Sequence, residues 1–206
     1  MKNIRKEVAT WIQLGSFICI WFLLLLASGT HALMGWEALK RFPEAVVIYS
    51  CGHLFFTTWA WRWKGFQGWL VPFPNLQGTW AGTIQTTWRN SATELTPVPI
   101  PVLLVIRQSF SSVNCVMYSR ESTSSSTAAQ ITGEEGSGQP QLCFIYSNCP
   151  LASVRERSQM HQGAAILRIV SKPERVLEGQ YWTDRRTTGD IYVLFKSKKL
   201  IEKFSM

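Results

Sequence analysis

The chain changes its hydrophobic period once. Between Val8 and Trp36 no residue is charged if His31 is neutral, and the run FICIWFLLLLA is almost purely apolar. About 20 residues of helix, at 1.5 Å each, cross a bilayer core, so this stretch predicts a spanning helix over about 8–34. A second charge-free run, AVVIYSCGHLFFTTWAW at 45–61, is close to the short limit of about 17 residues. Trp59, Trp61, Arg62 and Trp63 fit the aromatic and basic belt where a helix leaves a membrane, which puts a second span over about 43–63. A secretory signal competes with the first span: Lys2, Arg5 and Lys6 would be its basic start and Ala27-Ser28-Gly29 a weak cleavage site. Signal cores run about 7 to 15 residues, however, and this apolar stretch is about twice that.

From Val71 the pattern shifts. VPFPNLQG reads as a stiff linker over 71–77 ending at a glycine. After it, apolar or alternating runs are separated by turn residues: 78–88, 98–108, 111–121, 126–134, 141–148, 163–171, 175–183 and 190–197. Short strands at such spacing predict a sandwich or barrel. Eight strands with mostly short connections favour a closed antiparallel up-and-down barrel, which leaves no exposed edge and can hold side chains or one small ligand. A two-sheet sandwich is the second choice. The expected organisation is a membrane anchor over 1–70, a linker over 71–77 and an all-β domain over 78–206. The link PLASVRERSQMHQ at 150–162 is read as a mobile loop over one mouth, and SRESTSSST at 119–127 as either a solvated hairpin loop or a polar surface facing a ligand.

Charge adds an orientation. The net charge is +8, and the N-terminus carries Lys2, Arg5 and Lys6, whereas in the short loop Lys40 and Arg41 are balanced by Glu37 and Glu44. The positive-inside rule then places both ends on the cytoplasmic side of a bacterial inner membrane, or on the equivalent side of another membrane. Cys115, Cys143 and Cys149 are too irregularly spaced for a zinc pattern and odd in number, which suits a reducing compartment and buried strand positions.

Catalytic chemistry is poorly provided for. The β region has one histidine, His161, and two aspartates, Asp184 and Asp190, and carries none of the H-E-x-x-H, Walker-loop or G-x-S-x-G patterns. The two aspartates bracket a hairpin turn, where such residues usually satisfy backbone donors and only seldom share a metal. The sequence therefore suggests neither an enzyme nor a cofactor. A binding site is better supported. Arg107, Arg120, Arg168 and Arg185 emerge from strand patterns, and the planar guanidinium suits phosphate. Trp80, Trp88, Tyr118, Tyr146, Tyr181 and Trp182 offer flat faces on which bases stack. Together these point to a nucleotide pocket, with Trp80, Tyr118 and Tyr181 as stacking faces, Arg120 and Arg185 as phosphate partners and Thr183 as a hydroxyl donor. In the second span His53 is the polar candidate, either lining a pore or bonded to Ser50 or Thr57.

GTWAG at 78–82, MYSRES at 117–122 and YWTDRRTTGDI at 181–191, with two helices ahead of them, resemble the two-transmembrane, β-strand-rich effectors of bacterial CBASS antiphage systems. The resemblance covers the full chain. It implies a lipocalin-like eight-stranded barrel that senses a cyclic dinucleotide made by a CD-NTase. It further implies self-association in the inner membrane on ligand binding, loss of membrane integrity and death of the infected cell, with no enzymatic step and no DNA or RNA polymer as partner. The alternative is a membrane-anchored barrel that binds an apolar molecule or scaffolds another protein. Within the hairpin, adjacent strand residues face opposite sides, so Tyr181, Thr183 and Arg185 are expected to share the lumen face and Arg186 to be solvated; a flipped register would put Trp182 there instead.

Overall fold

A computed structural model describes residues 6–29, 35–68, 70–71, 73–89, 94–133 and 139–204. Lys2, Arg5, His31 and Pro72, which the sequence reading used, lie outside them. The chain divides into two compact units, Lys2–Pro72 and Phe73–Met206.

The first unit is a helical hairpin of α1 (Lys6–Ala27) and α2 (Trp36–Thr58), followed by short 3-10 turns at Ala60–Arg62 and Lys64–Phe66. The helices run antiparallel. Phe17 packs edge-on against Phe42 and Tyr49, Trp21 packs against Phe42, and Trp21 Nε1 donates to the Ala38 carbonyl. Within α1, Thr10–Ala27 is long and apolar enough to cross a membrane, and among the described residues it is the one stretch that is. The second helix departs from the expected 43–63. It starts at Trp36, continues through Pro43 and ends at Thr58. It thereby adds Lys40 and Arg41 to Glu44, with Arg41 and Glu44 paired at 2.8 Å, and these charges dilute its apolar character.

The second unit is a closed barrel in which eight strands pair in chain order. They are β1 (Gly78–Thr86), β2 (Ile100–Gln108), β3 (Val113–Ser119), β4 (Ser122–Gly133), β5 (Pro140–Pro150), β6 (His161–Val170), β7 (Val176–Thr183) and β8 (Thr188–Ser197). All pairs are antiparallel, and β1 closes the barrel on β8. Each expected strand is present. Alternation sets the lumen face: Leu142, Phe144, Tyr146 and Asn148 are buried along β5 while their neighbours are more exposed. On β4 a bulge at Thr127 shifts the parity, so that Ser122, Ser124 and Ser126 before it and Ile131 after it are all drawn inward.

One end of the lumen is plugged. Trp80, Leu104, Ile106, Leu142, Leu167 and Leu177 are all almost fully buried there. Residues 74–76 are strapped beneath the plug. Gln108 Oε1 accepts from Leu76 N at 2.6 Å and its Nε2 donates to the Pro74 carbonyl at 3.1 Å. Trp80 Nε1 donates to the Leu76 carbonyl at 3.0 Å, and Arg175 Nη2 donates to the Asn75 carbonyl at 2.8 Å. The Arg175 guanidinium also lies 3.9 Å from the Phe195 ring centre and 5.1 Å from that of Trp80, and burial lowers its pKa.

Candidate ligand-binding site

The other end of the lumen is open. It holds a cavity of about 650 Å³, within the range of small-molecule sites. Its surroundings differ from wall to wall.

One wall is aromatic. Phe144 and Tyr146 on β5 and Tyr181 on β7 line it, with the first two rings 6.0 Å apart. Both tyrosines rest on glycines of the neighbouring strand. Tyr146 is in register with Gly163 and Tyr181 with Gly189. A Cβ at Gly163 would come within 2.5 Å of the Tyr146 ring, and one at Gly189 within 2.6 Å of the Tyr181 ring. Burial is the main reason that the Tyr146 hydroxyl is held well above its ordinary pKa, with Tyr181 and Asp184 adding to it. The Tyr181 hydroxyl is also raised by burial; its bond to Thr86 opposes the shift and Asp190 adds to it. Both phenols are thus neutral hydrogen-bond donors at physiological pH.

The adjoining wall is polar. Ser119 ends β3, and Ser122 and Ser124 begin β4, with Asn148 opposite Ser124 on β5. Asn148 Nδ2 donates to Ser122 Oγ at 3.1 Å and to Ser124 Oγ at 2.8 Å, and Ser119 Oγ and Ser122 Oγ lie 3.0 Å apart. The segment SRESTSSST is therefore not a loop: only Arg120 and Glu121 turn, and the serines continue as strand.

The rim is basic, with an apolar lip. Arg120, Arg157 and His161 line the mouth, as do Pro97, Val98 and Pro99. Arg157 Nη2 donates to Glu121 Oε1 at 2.6 Å, and Leu151 N donates to the Glu121 carbonyl at 2.8 Å. The 151–160 loop is thereby tied to the β3–β4 turn. The Arg157–Glu121 pair is largely exposed, and such pairs contribute at most about 1 kcal/mol, so a phosphate can compete with the carboxylate for Arg157.

The expected site residues divide. Tyr181 and Arg120 line the cavity. Trp80 does not: it is 1% exposed in the plug, with its N–H engaged by Leu76. Tyr118 faces outward, because Val113, Cys115 and Met117 hold the inward parity of β3. Thr183 shares the inward parity of Tyr181, but its hydroxyl serves the hairpin, 2.6 Å from Thr187 Oγ1. Arg185 does not continue the pleat, since β7 ends at Thr183 and Arg186 adopts a left-handed φ of 59°. Its guanidinium reaches the Gln159 carbonyl at 3.4 Å on the outside of the turn. Trp182 is exposed, so the register is not flipped. Of the other strand arginines, Arg168 pairs with Glu178 on the outer surface. Asp184 accepts from Gln162 N at 3.0 Å, the backbone role expected of a hairpin aspartate. In α2 the His53 ring stacks on Tyr49, and Thr57 bonds to the His53 carbonyl rather than to its ring.

Phe144, the three serines, Asn148 and Arg157 were missing from the expected site. In sequence the serine segment reads as a loop or as a polar surface facing a ligand, and its unbroken run Ser122-Thr123-Ser124-Ser125-Ser126 does not say which residues face the lumen.

This cavity is set in a segment with recognisable relatives. Residues 71–194 match the Cap15 cyclic dinucleotide receptor domain. The chain belongs to the Cap15 family. The CD-NTase-associated protein 15 of Staphylococcus schleiferi is 32% identical over 178 residues, which cover 86% of this chain and 90% of that protein. The matched Cap15 segment includes every strand residue that lines the cavity, from Ile84 on β1 to Ile191 on β8.

Proposed function

We propose that this Cap15-family chain is a CBASS effector whose barrel binds a cyclic dinucleotide at the open end of its lumen. The observation that carries the proposal is the pairing of two tyrosine faces, the buried Tyr146 and the half-buried Tyr181, with a rim bearing Arg120 and Arg157. Bases stack on aromatic rings and guanidiniums hold phosphates. The Ser–Asn wall argues against an apolar cargo, which could offer no donor to the buried Asn148 Oδ1. Arg120 and Arg157 take the phosphates in this reading, and Arg185 has no part in it. The protein acts as a receptor rather than a catalyst.

The apolar Thr10–Ala27 helix supports a membrane anchor, and α2 completes it as a second, more polar pass in the bacterial inner membrane, with the barrel cytoplasmic. Ligand then drives self-association of anchored chains and loss of membrane integrity, to the extent that it binds the assembled form more tightly.

Calorimetric titration of the full chain in lipid nanodiscs with cyclic di-AMP, cyclic di-GMP and cyclic GMP–AMP tests the receptor. Saturable binding of at least one is expected, and no binding of any at millimolar concentration refutes the reading. Leakage of dye-loaded vesicles containing the chain, with and without the bound ligand, tests the membrane step.

A further inference from the structure

The least satisfied polar group around the cavity belongs to Asn148. The residue lines the cavity yet is only 7% exposed. Both hydrogens of its amide nitrogen are engaged, one by Ser122 Oγ and the other by Ser124 Oγ. Its carbonyl oxygen, Oδ1, is buried and accepts no hydrogen bond from the described residues.

A buried acceptor without a donor costs about as much as the desolvation of the group, and native proteins seldom carry one without a reason. Packing supplies no reason here. The cross-strand partner of Asn148 is Ser124 on β4, and on β6 it is His161. His161 Nδ1 lies 3.0 Å from the Gln159 carbonyl. No donor from either strand partner reaches Oδ1, and the residue borders the cavity.

We infer that Asn148 selects the ligand's base by accepting a hydrogen bond from an exocyclic amine. The inference rests on the cyclic-dinucleotide reading above and deepens it. The amide nitrogen is held by the serines, so the side chain presents an acceptor alone and cannot form the two-bond pairing with adenine that a free Asn makes. An amine suits the place because its two hydrogens can serve Oδ1 and a neighbouring serine oxygen together. The base is then read at the end of the stack formed with Tyr146, while the arginines of the rim hold the phosphates without regard to base. Sites built to bond a polar group reject analogues that lack it more strongly than apolar pockets reject a change of size.

The test compares ligands with and without the amine on the full chain in nanodiscs. Cyclic di-AMP is paired with its analogue carrying purine in place of adenine, and cyclic di-GMP with its analogue carrying hypoxanthine in place of guanine. For whichever parent binds, the wild type is expected to lose affinity about tenfold or more when the amine is removed. In Asn148→Leu, parent and analogue should bind within about twofold of each other, because the acceptor that distinguishes them is gone. Asn148→Asp retains an acceptor and should retain the preference. Asn148→Ala replaces the Leu variant if circular dichroism shows that the latter does not fold. Equal binding of parent and analogue by the wild type overturns the inference and leaves the receptor reading intact. So does an equal loss of both ligands in the variant, the mark of a structural role. Failure of the wild type to bind any cyclic dinucleotide removes the receptor reading and this inference with it.

Discussion

Tyr146 lies across the backbone of Gly163, its register partner on β6, so closely that a Cβ there would meet the ring carbon bearing the hydroxyl at 2.5 Å and the Trp182 carbonyl at 2.7 Å. The glycine is the seat of the tyrosine. Gly163→Ala should therefore unseat the ring and destabilise the barrel by about 1–3 kcal/mol, the usual cost of overpacking. Denaturant unfolding gives the stability, and ligand titration should show weaker binding in the same variant. An unchanged unfolding midpoint would mean that the ring is not fixed by this contact.

The two sides of β7 should behave oppositely. Tyr181 lines the cavity, whereas the adjacent Trp182 is exposed on the outer face. Tyr181→Ala is expected to weaken cyclic dinucleotide binding by about 1–3 kcal/mol, the value of one stacked base, and Trp182→Ala to leave it within error. Equal effects in titrations of the two variants would refute the assigned register.

At the rim, Arg157→Ala should weaken binding, and more strongly at low ionic strength. Glu121→Gln should strengthen it by up to about 1 kcal/mol, because the ligand's phosphate no longer displaces a carboxylate from the guanidinium. Arg185→Ala should change nothing. Titrations at two salt concentrations distinguish these outcomes.

Alkaline pH should loosen the barrel. Burial pushes the Cys115 thiol up to about 12 from its ordinary 9.0, and Tyr146 and Tyr181 are raised in the same direction. In each case the folded chain holds its proton more tightly than the unfolded chain. The stabilisation is complete below the unfolded pKa and is lost as pH rises through the folded one. The urea midpoint should accordingly fall from about pH 9 upward, first through the thiol and then through the phenols. Cys115→Ser or Cys115→Ala removes the earliest part of the decline.

Much of the fold is written in period-two runs. Eight apolar or alternating segments became eight strands, because pleat alternation and turn residues act locally. The ends of elements were less legible. The second span is expected from about residue 43, yet α2 begins seven residues earlier, at Trp36, since tertiary contacts such as Trp21 to the Ala38 carbonyl hold the extra turns. The site was legible only in part, and for a related reason. Tyr181 and Arg120 could be chosen by type and place, but Trp80 and Tyr118 are of the same type and differ only in depth and parity. Depth depends on which end of the barrel is plugged, and no local pattern reports that. Arg185 failed because alternation was carried past Thr183 into a turn with a left-handed residue.

The strap beneath the plug yields a further expectation. A chain that begins at Gln77 loses the Leu76 carbonyl that the buried Trp80 N–H requires and both partners that Gln108 finds at Pro74 and Leu76. An unmet buried group costs about 1–3 kcal/mol, so this barrel should melt well below one that begins at Phe73. Scanning calorimetry of the two fragments provides the comparison.

That strap also decides how the barrel bears load. The polypeptide leaves it at the pole farthest from the opening, gripped by Gln108, Trp80 and Arg175. Tension on the N-terminal side falls first on these hydrogen bonds and on the packed floor above them, and reaches Tyr146 or Asn148 only after both have given way. Any coupling between the ligand and the chain on its N-terminal side thus has to pass through this strap and the floor above it.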